Sequence, residues 1–378
     1  MVGLTTYAER AGQLLLGAKF DWRKVQDIFE EPTRAYEKAF YEQSTNGDIP
    51  RRYFVSKHGQ PLDAIEQRKV QKALDMENRV RAYQYAGLHF APREFTNEQK
   101  HWIEIVLKEA KDLLKKLGIQ RARETQTSDL VCVNNKDFRT IVRGGGEIGT
   151  ISSDAINDAY IEIDTVYLDQ NQKLPDFIHS LCHEVFGHLS ATKIVEYDRR
   201  QNGIYRKQTG LRVQNQTKTG FDMRFEWLDE IMTEILGYML RLELLRKYSG
   251  EIAKEMGNEG VAKLHTAFVT SHTTHIGIAV LRAIQDREKI SSIDAIKMMC
   301  ETYYKGKSDF FGKMKAAIGD KKFEYIVNLQ GDLNSLKAIK DICGENIVAS
   351  MLRNQPTFAN NDPLSESLFR DVMTFLQK

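Results

Sequence analysis

An α+β chain, predominantly helical with a small β-sheet near its middle, is what the sequence predicts, and three observations predict it. The stretch to about residue 125 and the stretch after about 251 carry apolar residues at helical spacing; β-branched residues and glycines gather between about 126 and 170; and the most apolar periodic run, MRFEWLDEIMTEILGYMLRLELLRKY, comes soon after. The expected organisation is a helical N-terminal region over 1–125, a core over 126–250, and a helical C-terminal region over 251–378 packed on that core. At 378 residues, with 42% hydrophobic content, the chain can bury a substantial interior.

The first well-marked element begins at Thr96-Asn97-Glu98-Gln99, which opens the amphipathic run HWIEIVLKEAKDLLKKLG. Trp102, Ile103, Val106, Leu107, Ala110, Leu113, Leu114 and Leu117 recur at three and four, and Gly118 suits a C-cap. Upstream, RRYFVSKHGQPLDAIEQRKVQKALDMENRVRAYQYAG mixes basic residues with tyrosines. Its acids are almost as frequent, so it reads as a solvated helix face and not as a nucleic-acid contact.

Between 126 and 170, LVCVNN, RTIVRGGGEIGTISS and AYIEIDTVYL read as short strands joined by turns. GGGEIG at 144–149 satisfies GxGxxG literally, but no helix follows to present its N-terminus to a phosphate, so turn chemistry is the better reading. After Pro175 a helix is expected through DFIHSLCHEVFGHLSATKIVEYD, with Ile178, Leu181, Cys182 and Val185 on its buried stripe. NGIYRKQTGLRVQNQTKTG follows as a loop or hairpin, then the long apolar helix ending near Gly250, then further helices to the C-terminus.

Charge and composition exclude several classes. Lys and Arg total 54 against 52 Asp and Glu, a balance of +2 that makes no global field for nucleic acid or an acidic membrane surface. No apolar run approaches the roughly 18 residues of a membrane span, and the N-terminus interrupts its LLL stretch with charge nearby and offers no small-residue cleavage site, so a cytoplasmic protein without nucleic-acid or membrane partners is expected. Cys132, Cys182, Cys300 and Cys343 are too scattered for a disulfide framework and read as reduced thiols. Cys182 directly precedes His183, yet neighbours on a helix point about 100° apart, so a buried inert thiol is favoured over a nucleophile.

The chemistry concentrates at 183–188, His-Glu-Val-Phe-Gly-His. Two imidazoles can ligate zinc, and a carboxylate beside the first can take a proton from the metal's water without ligating the metal itself. In the familiar HExxH spacing the histidines are four apart and about 40° apart around the helix. Here they are five apart, which on a regular helix means about 140°, too wide for one ion. The backbone is therefore expected to depart from a straight α-helix at Phe186–Gly187, where glycine makes the distortion least costly.

Downstream, Glu226, Glu230 and Glu234 share one face of the long apolar helix, and carboxylates beside core residues need partners. A metal and its histidines would supply them: Glu230 as third ligand, with Glu234 and Asp229 supporting the ligands from behind. On these residues the chain resembles a gluzincin-type zincin metallopeptidase. WLDEIMTE is similar to the WLNEGFA stretch of aminopeptidases of that clan, and HExxxH in place of HExxH resembles the variant of tyrosine carboxypeptidase-like metallopeptidases, which trim tubulin tails and also take a downstream glutamate as third ligand. The resemblance covers roughly 126–245. It implies a zincin-like core with an edge strand at AYIEID, a histidine helix and a glutamate helix, one zinc ion on His183, His188 and Glu230, and hydrolysis of a peptide or protein substrate with Glu184 as general base.

Further candidates surround that centre. His272, His275, Tyr205 and Tyr304, with Tyr303 beside it, could stabilise an oxyanion, and Arg212, Arg206 or Lys207 could grip a substrate carboxylate, against the alternatives of structural helix residues and a solvated basic hairpin. Two rival readings stand beside the peptidase: a catalytically inactive zincin-like scaffold acting as a protein-interaction module, and a helical nucleic-acid-binding protein.

Overall fold

The computed structural model of the protein describes residues 52–56, 60–70, 93–119, 125–133, 166–169, 171–189, 193–201, 203–217, 220–224, 226–266, 272–305, 309–327, 333–343 and 363–377. The GGGEIG run and the AYIEID edge-strand expectation lie outside them, as do the side chains of His188, His272 and His275. The described chain is α+β and mostly helical. No helix among the described residues is long and apolar enough to cross a membrane.

Strand β1, Arg52–Ser56, precedes helix α1, Asn97–Lys116. Thr96 caps α1 as its sequence foretells: its hydroxyl accepts the Gln99 N–H at 3.1 Å while the Gln99 side chain accepts the Thr96 N–H at 3.0 Å. At the other end Gly118 takes φ +78, and the Gly118 and Ile119 amides donate back to Lys115 and Leu114, satisfying carbonyls the helix leaves open. Trp102, Ile103, Val106, Ala110, Leu113, Leu114 and Leu117 are buried along the predicted stripe, and Leu107 is partly buried.

Strands β2, Leu130–Val133, and β3, Val166–Asp169, form a parallel pair. Helix α2, Leu174–Cys182, has Pro175 in its first turn, where a missing N–H costs nothing, and buries Phe177, Ile178, Leu181 and Cys182. It passes directly into a π-helix at His183–Leu189. The expected helix does not continue beyond that: Lys193–Asp198 is strand β4. Its β-branched Ile194 and Val195 suit an extended backbone, and it sits between β1, parallel, and β5, Gly203–Thr209, antiparallel, so backbone bonding on both edges outweighs local helical pattern. Strands β6, Arg212–Thr217, and β7, Gly220–Arg224, complete a five-stranded sheet in the order β1-β4-β5-β6-β7. The segment read as loop or hairpin is thus a meander. Its β5–β6 turn is the two residues Gly210 and Leu211, with Gly210 at φ +57, the backbone that primed hairpin turns demand.

Helix α3, Glu226–Thr266, carries the glutamates in its first stretch. The predicted end near Gly250 is instead a break in helical angles at Tyr248 (φ −121, ψ 19), after which helix resumes, with a second break at Gly257 (φ 69). Tyr248 is anchored against α1, where its hydroxyl donates to Glu109 at 2.8 Å and its ring meets Trp102 edge-on, and the backbone yields at that anchor. Helices α4, His272–Glu288, α5, Ser292–Lys305, α6, Asp309–Ile318, α7, Asp320–Val327, α8, Leu333–Cys343, and α9, Pro363–Gln377, follow. One apolar cluster draws on α1, α2, the π-helix, the first part of α3 and these C-terminal helices, and each fully buried Ile, Leu or Phe in it contributes about 1.5–3 kcal/mol relative to exposure. A smaller cluster of Leu62, Val70, Val195 and Tyr197 lies on the sheet.

Candidate metal centre

The π-helix covers the whole motif, His183 to Leu189. Its i→i+5 pattern brings positions five apart about one turn apart, as an α-helix does for positions four apart, so the backbone at 183 and 188 has the relation that the α-helical 140° would deny. The distortion expected at Phe186–Gly187 is therefore present. Val185 and Phe186 are buried beneath it, and the Phe186 carbonyl accepts the Tyr304 hydroxyl at 2.6 Å.

Helix α3 packs closely against this turn at Gly237. A Cβ there would lie 3.2 Å from the His183 Cα and 3.3 Å from its N, closer than ordinary contacts allow, so only glycine admits this approach without displacement. One turn earlier in α3, Glu234 Oε1 lies 2.9 Å from His183 Nδ1, and about one turn before that Glu230 Oε2 lies 3.6 Å from His183 Nε2. The two distances mean different things. The first is an ion-pair contact that places Nδ1 on the Glu234 side and Nε2 on the Glu230 side of the ring. The second is too long for a hydrogen bond, yet two donors each about 2.1 Å from one tetrahedral ion stand about 3.4 Å apart. The separation of His183 Nε2 and Glu230 Oε2 is that of an ion pair, and it is also one that two ligands of a single ion would have.

The His183 and Glu230 side chains keep 13% and 27% of their surface exposed, so the centre has an open side. Glu184, at 1%, is enclosed, and its carboxylate is close enough to help raise the affinity of His183 for a proton. Burial by itself would lower His183; Glu234, Glu230 and Glu184 together overcome it and hold the imidazole well above its usual range. Negative charge is thus concentrated around one imidazole.

Behind Glu234 sits Arg241, fully buried, its guanidinium 3.9 Å from Glu234 Oε2 and 5.7 Å from the Tyr238 ring centre. Burial would raise the Glu234 carboxyl, but His183 and Arg241 hold it at about 2. His179, one α-turn before His183, is pushed down to about 3 by burial and by Arg241, so it stays neutral. Arg241 and His179 were not singled out from sequence. The signal was there in both: a lone arginine within GYMLRLELL, and a histidine four before the first motif histidine. Cys182 is buried with its thiol pushed up to about 12 by burial, and Cys132 and Cys300 are also buried and outside any disulfide. The inert reading of Cys182 stands.

Asp229, fully buried, accepts the Leu211 N–H at 2.6 Å and so ties the β5–β6 turn to the glutamate helix. A Cβ on Gly210 would collide with Asp229 Oδ1 and the Tyr303 ring, both at 2.5 Å, which explains glycine at the tip. The hairpin is not solvated at its arginines as expected: Arg206 and Arg212 are 4% and 3% exposed. Cross-strand register sets Arg206 opposite Glu196, with which it forms a buried ion pair. Tyr205 is partly buried on β5. Tyr304 is fully buried with its hydroxyl on the Phe186 carbonyl, a structural bond to backbone in place of the less favoured oxyanion contact, and Tyr303 meets Thr233 Oγ1 at 2.9 Å.

A second group lies elsewhere. Donor atoms of His101, Glu251 and Glu255 all fall within 4.8 Å of one another and could hold a metal ion. Its members already have partners at the surface: His101 Nε2 is 2.7 Å from Glu251, and the Trp102 indole N–H donates to Glu255 at 2.7 Å. Compared with known protein families, curated proteins and solved structures, the chain matches none.

Proposed function

We propose that this protein is a zinc-dependent metallopeptidase with a gluzincin-type zincin core, in which His183, His188 and Glu230 hold one zinc ion and Glu184 is the general base. The observation that carries the proposal is the π-helix at His183–Leu189, because it removes the one geometric objection to HExxxH. The 3.6 Å between His183 Nε2 and Glu230 Oε2, and the placing of Glu234 behind Nδ1, support the same reading. Zinc in such a site would lower the pKa of a water to about 7 and polarise a scissile carbonyl.

The chain's own groups do the rest. Glu184, next to His183 and enclosed, accepts a proton from the attacking water and returns it to the leaving amine. Glu234, kept ionised beside Arg241, holds the His183 ring so that Nε2 faces the Glu230 side. Asp229 fixes the glutamate helix to the β5–β6 turn. Purified protein should contain a single zinc per chain and cleave members of a peptide library in a chelator-sensitive way. Glu184→Gln should keep the zinc and lose cleavage. Unchanged cleavage by Glu184→Gln removes the general-base assignment, and a zinc-loaded wild type that cleaves nothing favours the interaction scaffold.

A further inference from the structure

We propose that Tyr304 is a positioning residue for the metal centre: by holding the Phe186 carbonyl, its hydroxyl keeps the motif in the π-helical form on which positions 183 and 188 come one turn apart. The inference rests on the reading of His183, His188 and Glu230 as metal ligands.

A π-helical turn is rarely the preferred local state of a sequence, and HEVFGHL has an accessible rival in the α-helix that α2 has already begun. Relaxation to that rival would turn positions 183 and 188 about 140° apart. Something outside the segment must select the π form. Local sequence lowers the cost through Gly187, and any backbone group that the change of hydrogen-bonding pattern displaces needs a partner.

Tyr304 is placed to supply one. It comes from α5, far along the chain, and is fully buried; its O–H donates to the Phe186 carbonyl at 2.6 Å while its ring packs 6.1 Å from the Phe186 ring. Phe186 is the residue before Gly187, at the middle of the π-helix. The neighbouring Tyr303, packed edge-on to Tyr304 at 5.1 Å, meets Thr233 of α3 through its hydroxyl at 2.9 Å. Thr233 directly precedes Glu234 and is three residues after Glu230. Two successive tyrosines of one helix thus grip the histidine-bearing turn and the glutamate-bearing helix. The first sets the form of the turn, and the second registers it against its partner helix.

Coupling of this kind is reciprocal: if the Tyr304 bond favours the zinc-competent turn, zinc must favour the bond. The test is zinc affinity of the full-length chain, measured by competition with a chromophoric chelator, for wild type, Tyr304→Phe and Tyr248→Phe. Tyr304→Phe keeps the ring and removes the donor. It should weaken zinc binding about tenfold to a hundredfold, the range for loss of a group that orients ligands, and change the visible spectrum of the cobalt(II)-substituted protein. Tyr248→Phe also removes a tyrosine hydroxyl bonded to a buried acceptor, on Glu109, but away from the turn, and should lower stability without moving zinc affinity. Equal zinc affinity and an unaltered cobalt spectrum in Tyr304→Phe overturn the inference while the metal reading survives. A wild-type chain that binds no zinc overturns both. If Tyr304→Phe does not fold, amide hydrogen exchange on the wild type decides: zinc should slow exchange in 183–189 and in 300–305 together, and slowing confined to 183–189 overturns the proposal.

Discussion

Replacing Gly237 with alanine separates the close approach of the two helices from their stability. A Cβ at 237 would lie 3.2 Å from the His183 Cα, 3.3 Å from its N and 3.6 Å from the Cys182 carbonyl carbon, where comfortable carbon contacts are about 3.5–4.0 Å. All three are backbone atoms, so no side chain can swing aside; the turn or the helix must retreat by about 0.5 Å. Two energies then oppose each other. Alanine in a helix interior is favoured over glycine by about 1 kcal/mol, while overpacking of a core contact costs about 1–3 kcal/mol. The net change is a loss of roughly 0–2 kcal/mol, comparable with the ~1.4 kcal/mol of a tenfold change in metal affinity. A shift of about 0.5 Å is at the limit of what a ligand constellation tolerates, and it acts directly on His183 against Glu230. Zinc affinity should fall on the order of tenfold, read by chelator competition, while urea unfolding of the zinc-free protein shows a loss of no more than about 2 kcal/mol. A Gly237→Ala protein that is more stable by the full ~1 kcal/mol and binds zinc like wild type would refute the packing argument.

Three more expectations follow from the same contacts. Glu230→Ala should lose zinc yet fold, because Glu230 is partly exposed at the open side of the centre; retention of zinc at wild-type affinity removes Glu230 from the ligand set. Glu243 should contribute stability at neutral pH that disappears on acidification. Burial opposes its charge, but Arg246, Lys247 and Lys116 hold it at about 2, below its ordinary 4.5, so its contribution is complete above about 4.5 and lost as pH falls toward 2. Glu243→Gln should therefore cost about 1–3 kcal/mol near pH 7 and flatten the acid side of the urea-midpoint profile, and parallel profiles for the two proteins would contradict this. Cys182, buried and with its thiol at about 12, should resist alkylation in the folded chain at pH 8 and react on unfolding; rapid labelling of native protein would reopen a reactive role.

What was legible in the sequence was what local chemistry decides. Thr96 and Gln99 start α1 and Gly118 ends it because a cap is made by residues within a turn of each other. The break from α-helix at Phe186–Gly187 was legible too, since a five-residue histidine spacing and a central glycine both lie inside the motif. Lys193–Asp198 was misread as helix because its strand state depends on β1 and β5, pairings that no window around it contains. The buried Arg206–Glu196 pair was hidden for the same reason: a basic hairpin looks solvated until register puts an acid opposite the arginine. The shared face that brings Glu230 and Glu234 to His183 is legible in their helical spacing, whereas Arg241 behind Glu234 and Tyr304 on the Phe186 carbonyl depend on packing between elements.

Anomalous X-ray diffraction at the zinc edge, on crystals of the zinc-loaded protein, tests the central claim most directly. One strong peak is expected about 2 Å from both His183 Nε2 and a Glu230 carboxylate oxygen, with His188 completing the set of protein ligands. A peak at the surface group of His101, Glu251 and Glu255 with none between His183 and Glu230, or no peak at all, would contradict it.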